Sequence, residues 1–301
     1  MKIVIAGGTG LIGRKLADFL VKKGHDVVVL TRGTERPVNN VTYVPWLLEG
    51  TRPERELRGA DVFINLAGMS INYGRWTAKQ QKEIYNSRMK ATEELLRILE
   101  VLPEKPDVWI NASAIGIYPT SVDAVYTEQS KEKADNFLGK TVADWEKRAK
   151  TAENFGVRTV FMRFGLVLDK DGGALPLMAL PYKCFVGGRV GSGTQWISWV
   201  HIIDVVRAIW FAIKNIQIRG PVNVTAPNPL TMEEFGKKIA SVLKRPHWLP
   251  VPDFLLKLVL GKKSMLVLEG QFVLPKVLQR EGFQFLYPTA DKALEDLYGT
   301  G

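Results

Sequence analysis

Three glycines at a spacing of three, Gly7, Gly10 and Gly13, stand directly behind the apolar run of residues 2–6. They lead straight into a stretch where Ile12, Leu16, Phe19 and Leu20 recur at helical spacing. A strand, a glycine turn and a helix in that order suit the cradling of a pyrophosphate. The first glycine permits the tight turn, the second lets the backbone approach the phosphates, and the third allows the helix to pack closely on the strand. A helix beginning there directs free N–H groups and the positive end of its dipole at the anion. Gly7, Thr9, Gly10, Leu11, Ile12 and Gly13 are therefore expected to bind a dinucleotide. A glycine turn that serves structure alone is the other reading. Against it stands a second apolar run, residues 26–30 beyond Gly24, which completes a βαβ unit.

The end of that second run selects between the nicotinamide dinucleotides. A site for NAD places Asp or Glu there to accept from the ribose 2′-hydroxyl, whereas this chain has Thr31 and Arg32, with Arg14 just after Gly13. Arginine binds phosphate through paired, charge-assisted hydrogen bonds, so Thr31 and Arg32 point to NADP(H). Arg14 reads equally as a further phosphate contact or as a solvated helix residue.

Other reactive types have plainer readings. The single cysteine, Cys184, can form neither an internal disulfide nor a cysteine metal cluster, which fits a reducing cytoplasm. Between Lys183 and Phe185 it is expected to be packed rather than reactive. His201 and Asp204, three apart ahead of the apolar residues 205–213, are expected to start a helix with Asp204 as its cap. Gly172-Gly173, Gly187-Gly188 and Gly191-Ser192-Gly193, with Gln195, Trp196 and Trp199, would either rim a site for a polar ring or sugar, or pack as loops on a sheet. Within residues 77–99, Ile84, Arg88, Ala91, Leu95 and Leu99 share one helical face, which sets a cation on a core-facing stripe. Such a charge needs a partner, either a cofactor phosphate or Glu83.

The chain that must position these groups has 301 residues, 46% hydrophobic and 24% charged, which suits one large globular domain with a smaller lobe. No uncharged apolar run reaches the roughly 18–20 residues that span a bilayer. The most apolar stretch, residues 197–213, is interrupted by His201, Asp204 and Arg207, so no membrane span is expected. The opening apolar run meets Gly7 and Gly8 too early for a secretory segment and reads as a buried strand. The net charge of +10 is dispersed: residues 1–100 carry 16 basic and 11 acidic groups, residues 101–230 carry 15 and 12, and residues 231–301 carry 10 and 8. Without a basic stripe or tail, the surplus suits anionic small ligands rather than nucleic acid. Thr231-Met232-Glu233-Glu234 has the form of a capping box, with Phe235, Ile239 and Val242 at helical spacing behind it, and a hydrophobic helix is expected after Pro252.

The glycine spacing, with Asn65-Leu66-Ala67-Gly68 after a further strand at residues 62–64, resembles the extended short-chain dehydrogenase/reductase superfamily. Further stretches, among them Arg75-Trp76-Thr77, Asn86-Ser87-Arg88, Ala112-Ser113-Ala114-Ile115-Gly116-Ile117-Tyr118, Trp145-Glu146, Arg163-Phe164-Gly165 and Gly191-Ser192-Gly193-Thr194-Gln195-Trp196, resemble one atypical branch of it. That branch is an "epimerase family" with a C-terminal segment of unknown function, and the resemblance covers essentially the whole chain. It implies an α/β, Rossmann-like, doubly wound parallel sheet with a smaller, mostly helical C-terminal lobe. The dinucleotide domain would occupy residues 1–165, completed by about 200–225, and the substrate lobe 166–199 and 226–301. Leu66, Ala67 and Gly68 would lie along the cofactor, and Arg88 would take the place of an asparagine facing the site.

The same resemblance raises the catalytic question. Superfamily members use Tyr-x-x-x-Lys on one helix, the tyrosine moving the substrate proton and the lysine lowering its pKa. None of the eight tyrosines here has a lysine four places on, and alignment through Glu146 puts Leu138 and Val142 where the pair would stand. Ser113 takes the place of a hydroxyl that orients a substrate oxygen, and Tyr118 is the candidate to replace the lost phenol. Lys140 is turned away from the required helix face. Two functions are expected from this pattern: an NADP(H)-dependent oxidoreductase or epimerase on a polar, sugar-like or nucleotide-linked substrate held between Trp199 and the C-terminal lobe, or a protein that binds NADP(H) without turnover, as a sensor or assembly factor.

Overall fold

The computed structural model describes residues 1–33, 40–72 and 74–299. In chain order the first half holds β1 (Lys2–Ala6), α1 (Leu11–Lys22), β2 (Asp26–Thr31), β3 (Val41–Pro45), β4 (Val62–Asn65), α2 (Ala78–Val101), β5 (Val108–Ala114), β6 (Val125–Tyr126) and α3 (Phe137–Ala149). The second half continues with β7 (Arg158–Phe164), β8 (Leu166–Leu168), α4 (Leu175–Lys183), β9 (Trp196–Ile197), β10 (Trp199–His201), α5 (Ile202–Lys214), β11 (Gly220–Val224), β12 (Leu230–Thr231), α6 (Met232–Leu243) and α7 (Asp253–Leu260). It closes with α8 (Met265–Leu268), β13 (Phe272–Val273), α9 (Lys276–Arg280) and α10 (Ala290–Tyr298).

Seven strands form one parallel sheet in the order β11-β7-β5-β4-β1-β2-β3. Successive side chains point to opposite faces of a strand, so the short runs Lys2–Ala6 and Asp26–Thr31 feed two cores at once. Ile3, Ile5, Val27 and Val29 pack under α1 and α5, with Leu16, Leu20, Val205 and Ile209. Val4, Ala6, Val28 and Leu30 pack on the opposite face against Leu95 and Leu99 of α2 and Ala149 of α3. The strand order reverses at β1, between β2 and β4, and a parallel sheet opens its binding crevice at such a point, beyond the carboxyl ends of the strands.

A third cluster joins α4, α6 and α10 around Tyr182, Trp199, Phe235, Ile239 and Leu294. The capping box at Thr231 and Glu234 forms as the spacing predicts, and no helix among the described residues is long and apolar enough to cross a membrane. Two local expectations are corrected. His201, not Asp204, caps α5, its ring nitrogen Nδ1 accepting from the Ile203 N–H at 3.2 Å. Asp204 sits fully buried in the first turn and accepts from the Leu286 and Tyr287 N–H groups, each at 2.9 Å, and from Arg207 at 2.8 Å. It ties the chain ahead of α10 to α5, a partnership 82 residues away that spacing could not suggest. Cys184, expected to be packed, is exposed, because it falls at the C-cap of α4.

Asp204→Asn removes one of the two carboxylate oxygens that hold those amides, and a net cost of about 1–2 kcal/mol is expected. Urea denaturation reads it, with faster hydrogen exchange at Leu286 and Tyr287. Unchanged exchange there would refute the tether.

Candidate functional site

The turn after β1 is built as tightly as its glycines demand. Gly7 has φ +80°, and a Cβ there would meet the Leu66 carbonyl carbon and oxygen at 2.6 Å, so this turn and the loop after β4 touch backbone to backbone. A Cβ at Gly13 would lie 2.4 Å from the Gly7 carbonyl oxygen, the close helix-on-strand approach expected of a third glycine. Gly8, outside the three-residue spacing, is equally constrained, since a Cβ would strike the Val29 side chain of β2 at 2.6 Å. Gly10 is different: it is exposed, it is the N-cap of α1, and a Cβ there would meet only the Gly7 oxygen, at 3.3 Å. Backbone free on one side at a helix N-terminus fits a pyrophosphate brought up against it. Thr9, Leu11 and Ile12 are half-buried around this opening, and Gly172 and Gly173 pack on the Leu11 side chain.

At the end of β2, Thr31 is buried and its hydroxyl accepts from the Gly33 N–H at 3.0 Å, which sets the turn that brings out Arg32. Arg32 and Arg14 are both exposed. Leu66 and Ala67 are half-buried and Gly68 is exposed on the loop that faces the glycine turn. That loop is fastened from below. Asn65 Oδ1 accepts from the Ala67 N–H, Ser87 Oγ accepts from the Met69 N–H at 2.9 Å, and Arg88 Nη1 donates to the Met69 carbonyl at 3.1 Å.

Arg88 is not paired with Glu83, contrary to one reading of its spacing. Its side chain lies back along α2, donating to the Ile84 carbonyl at 2.9 Å, and its guanidinium stands 5.2 Å from the centre of the Trp145 ring. Five residues apart, the two side chains lie about 140° apart around the helix rather than at the neighbouring spacings of three or four, and the Arg88 guanidinium goes to the loop instead. Burial alone pulls the pKa of Arg88 down, to about 10, which leaves it charged at neutral pH.

The two candidate catalytic hydroxyls, Ser113 and Tyr118, are both buried and hydrogen-bonded within the protein. Ser113 is paired in register with Arg163 across β5 and β7. Its hydroxyl donates to Glu146 Oε1, and Arg163 grips both oxygens of the same carboxylate, Nε to Oε1 and Nη2 to Oε2, each at 2.8 Å. Burial disfavours the Arg163 charge, but the Glu146 carboxylate more than offsets this and raises its pKa. Tyr118 is 1% exposed. Its hydroxyl accepts from Arg163 Nη1 at 2.8 Å and faces Asn223 Oδ1 at 2.9 Å and the Thr127 carbonyl at 3.0 Å, while its ring stacks on Tyr126. Burial raises the phenol pKa, with Arg163 opposing it. Ser113, Glu146, Arg163, Tyr118 and Asn223 form one connected network at the ends of β5 and β7, in which both hydroxyls are engaged. Glu146, Arg163 and Asn223 were given no role from the sequence because only strand register and the packing of α3 on the sheet bring them together.

Val142 is buried and Leu138 lies against Gly116, so apolar groups occupy the places of the absent Tyr-x-x-x-Lys, while Lys140 is exposed. Tyr73 lies outside the described residues. The expected rim is also revised. Trp199 is fully buried with its indole donating to the Asn228 carbonyl, and Gln195 is buried with its amide nitrogen on the Val190 and Val267 carbonyls. Both pack the lobe rather than face a ligand. Lys263 Nζ, from the segment after α7, donates to the Asn72 carbonyl and joins the C-terminal lobe to the loop beyond Gly68. No group of three or more His, Cys, Asp or Glu placed to hold a metal ion occurs among the described residues.

Comparison with known proteins gives a consistent answer. Residues 3–225 match the model of the NAD dependent epimerase/dehydratase family, and residues 251–297 match a domain of unknown function, DUF1731. The chain is 48% identical to the epimerase family protein YfhF of Bacillus subtilis, over 99% of this chain and 98% of that one. It is 42% identical to the epimerase family protein SH2119 of Staphylococcus haemolyticus, over 98% of each. Its structure is similar to that of the human epimerase family protein SDR39U1 solved with NADPH, at a TM-score of 0.89 and 30% identity over 99% of both chains. The fold is shared with a UDP-glucuronic acid 4-epimerase from Bacillus cereus solved with UDP-glucuronic acid and NAD, at a TM-score of 0.77 and 17% identity over 99% of this chain and 98% of that one.

Proposed function

The chain belongs to the NAD dependent epimerase/dehydratase family, and we propose that it is an NADP(H)-dependent oxidoreductase or epimerase acting on a polar, sugar-like or nucleotide-linked small molecule in the cytoplasm. The observation that carries this reading is the exposed, unobstructed backbone at Gly10, set at the N-terminus of α1 by the tight packing of Gly7, Gly8 and Gly13. Thr9, Leu11 and Ile12 line the same opening, Leu66, Ala67 and Gly68 run along the dinucleotide, and Arg32 with Thr31 takes the 2′-phosphate. When bound, the nicotinamide supplies hydride acceptance and donation. The similarity to a relative solved with NADPH supports the phosphorylated cofactor. Residues 1–165 with 200–225 would hold the cofactor and residues 166–199 with 226–301 the substrate, a division supported by the place of β11 in the main sheet and by the separate cluster of α4, α6 and α10.

Proton transfer is the step for which this chain carries an unusual set. Ser113 and Tyr118 are committed to Glu146 and Arg163, so a substrate proton would pass to solvent or to the substrate's own groups. A second reading rests on that same commitment: a protein that binds NADP(H) without turnover, as a sensor or assembly factor. Loss of general acid–base catalysis removes about 10²–10⁴-fold in rate but leaves positioning intact, which favours the enzyme.

Calorimetry is expected to show NADPH binding tighter than NADH, and NADPH oxidation across carbonyls and nucleotide sugars is expected to find a substrate whose turnover survives Ser113→Ala. Tight NADPH binding with no turnover in that screen establishes the second reading. Equal affinity for NADPH and NADH removes the assignment of the β2 end.

A further inference from the structure

Among the described residues, Arg88 is a half-buried arginine beside the opening whose charge no carboxylate answers. The buried Arg163 is gripped by Glu146, and Arg207 by Asp204. Arg158 also lacks a close carboxylate, but its guanidinium makes three hydrogen bonds to the Ala212, Ile213 and Ile218 carbonyls at and beyond the end of α5, where the helix dipole is negative. Arg88 has no such end. Both of its hydrogen bonds come from Nη1 and go to carbonyls of the loop and of the helix interior, leaving Nε and Nη2 with no hydrogen-bond partner among the described residues. Burial is what lowers its pKa, with no neighbouring acid to raise it. Arg88 is half-buried and its unbonded nitrogens are not sealed from water, so the cation is partly desolvated while its free edge stays open to an anion.

Its place is equally specific. Gly68 stands close against the Arg88 side chain: a Cβ there would lie 3.2 Å from Cζ and 3.3 Å from Nη1. Gly68 is exposed, so the charge lies directly beneath the surface of the loop that faces the glycine turn. The Trp145 ring holds it from α3, and Ser87 fastens the loop on the other side. The fork of the guanidinium is preorganised, with one edge occupied and one edge free.

We propose that Arg88 is the oxyanion receptor of the substrate site: the small molecule that meets the dinucleotide carries a carboxylate or a phosphate, and the free edge of the Arg88 guanidinium takes it. This rests on the dinucleotide reading for the place of the substrate, but not for the anion site itself. Planar carboxylate and tetrahedral phosphate both match a guanidinium edge through two parallel N–H bonds. The receptor also gives the site one point of substrate anchorage that does not depend on Tyr-x-x-x-Lys.

The test titrates malonate, and separately inorganic phosphate, into the whole protein with and without NADPH. Calorimetry reads affinity, and the arginine Nε–H resonances in ¹⁵N spectra read the residue, with the Arg88 signal identified by its loss in R88K. Saturable binding that shifts the Arg88 resonance and weakens about tenfold or more in R88Q, with R88K closer to wild type, is the expected result. Malonate alone would assign a carboxylate substrate, and phosphate alone a phosphorylated one. An Arg88 resonance unmoved by either anion overturns the proposal, even if R88Q fails to fold. So does R88Q that loses NADPH affinity tenfold while anion titration leaves wild type unchanged, because the guanidinium then serves the cofactor. Absence of NADPH binding by wild type would defeat the dinucleotide reading instead, and the titration without cofactor would still decide Arg88.

Discussion

Arg32→Asp is expected to weaken NADPH binding by about 10- to 100-fold while leaving NADH binding equal or tighter. A charge-assisted hydrogen bond contributes roughly 1.5–3 kcal/mol, and each 1.4 kcal/mol is a factor of ten in affinity. Arg32 is exposed at the end of β2, and the Thr31 hydroxyl sets its turn by holding the Gly33 amide. The substitution removes the phosphate's partner and also supplies the carboxylate that a ribose 2′-hydroxyl prefers. Because the side chain stands outside both cores, stability should change little. Calorimetry with both cofactors measures the ratio, and a preference that survives the substitution would show that the 2′-phosphate is read elsewhere.

Glu146→Ala should be the most destabilising single change in the buried network. Arg163 would lose both bonds to its carboxylate and Ser113 its acceptor, leaving a buried cation whose remaining partner is the neutral Tyr118 hydroxyl. Breaking a buried pair from one side costs about 3–5 kcal/mol, whereas replacing both partners with apolar groups is far milder. The double variant Glu146→Leu with Arg163→Met should therefore be more stable than Glu146→Ala alone. NADPH affinity is expected to hold in the folded fraction, since the network includes none of the residues proposed to hold the dinucleotide. A loss below about 1 kcal/mol in urea denaturation would mean that water reaches the pair and screens it.

The same network shows what the sequence left out about Ser113 and Tyr118. A sequence records that a serine ends a strand and that a tyrosine follows five residues later. It does not record that β5 lies beside β7 in the register that sets Ser113 against Arg163, or that Asn223, 105 residues beyond Tyr118, closes the set. The pull on each hydroxyl comes from residues on other strands and on α3. Trp199 and Gln195 were left open for a related reason: aromatic and amide side chains suit a sugar and a packed lobe equally, and burial decides for the packed lobe.

What the sequence determined by itself was everything set by short-range covalent and steric rules. Residues 2–6 and 26–30 are apolar on both faces, which requires a sheet covered on two sides, and Gly7, Gly10 and Gly13 permit a turn and a helix start that few other residues allow. The capping box at Thr231 is likewise local. The tertiary structure alone decided the partners of charged and polar groups: Glu146 for Arg163, the Met69 carbonyl rather than Glu83 for Arg88, and the Leu286 and Tyr287 amides for Asp204. A buried charge is satisfied by whatever donor or acceptor the packed elements bring within about 3 Å, and that distance depends on strand order, register and helix placement together.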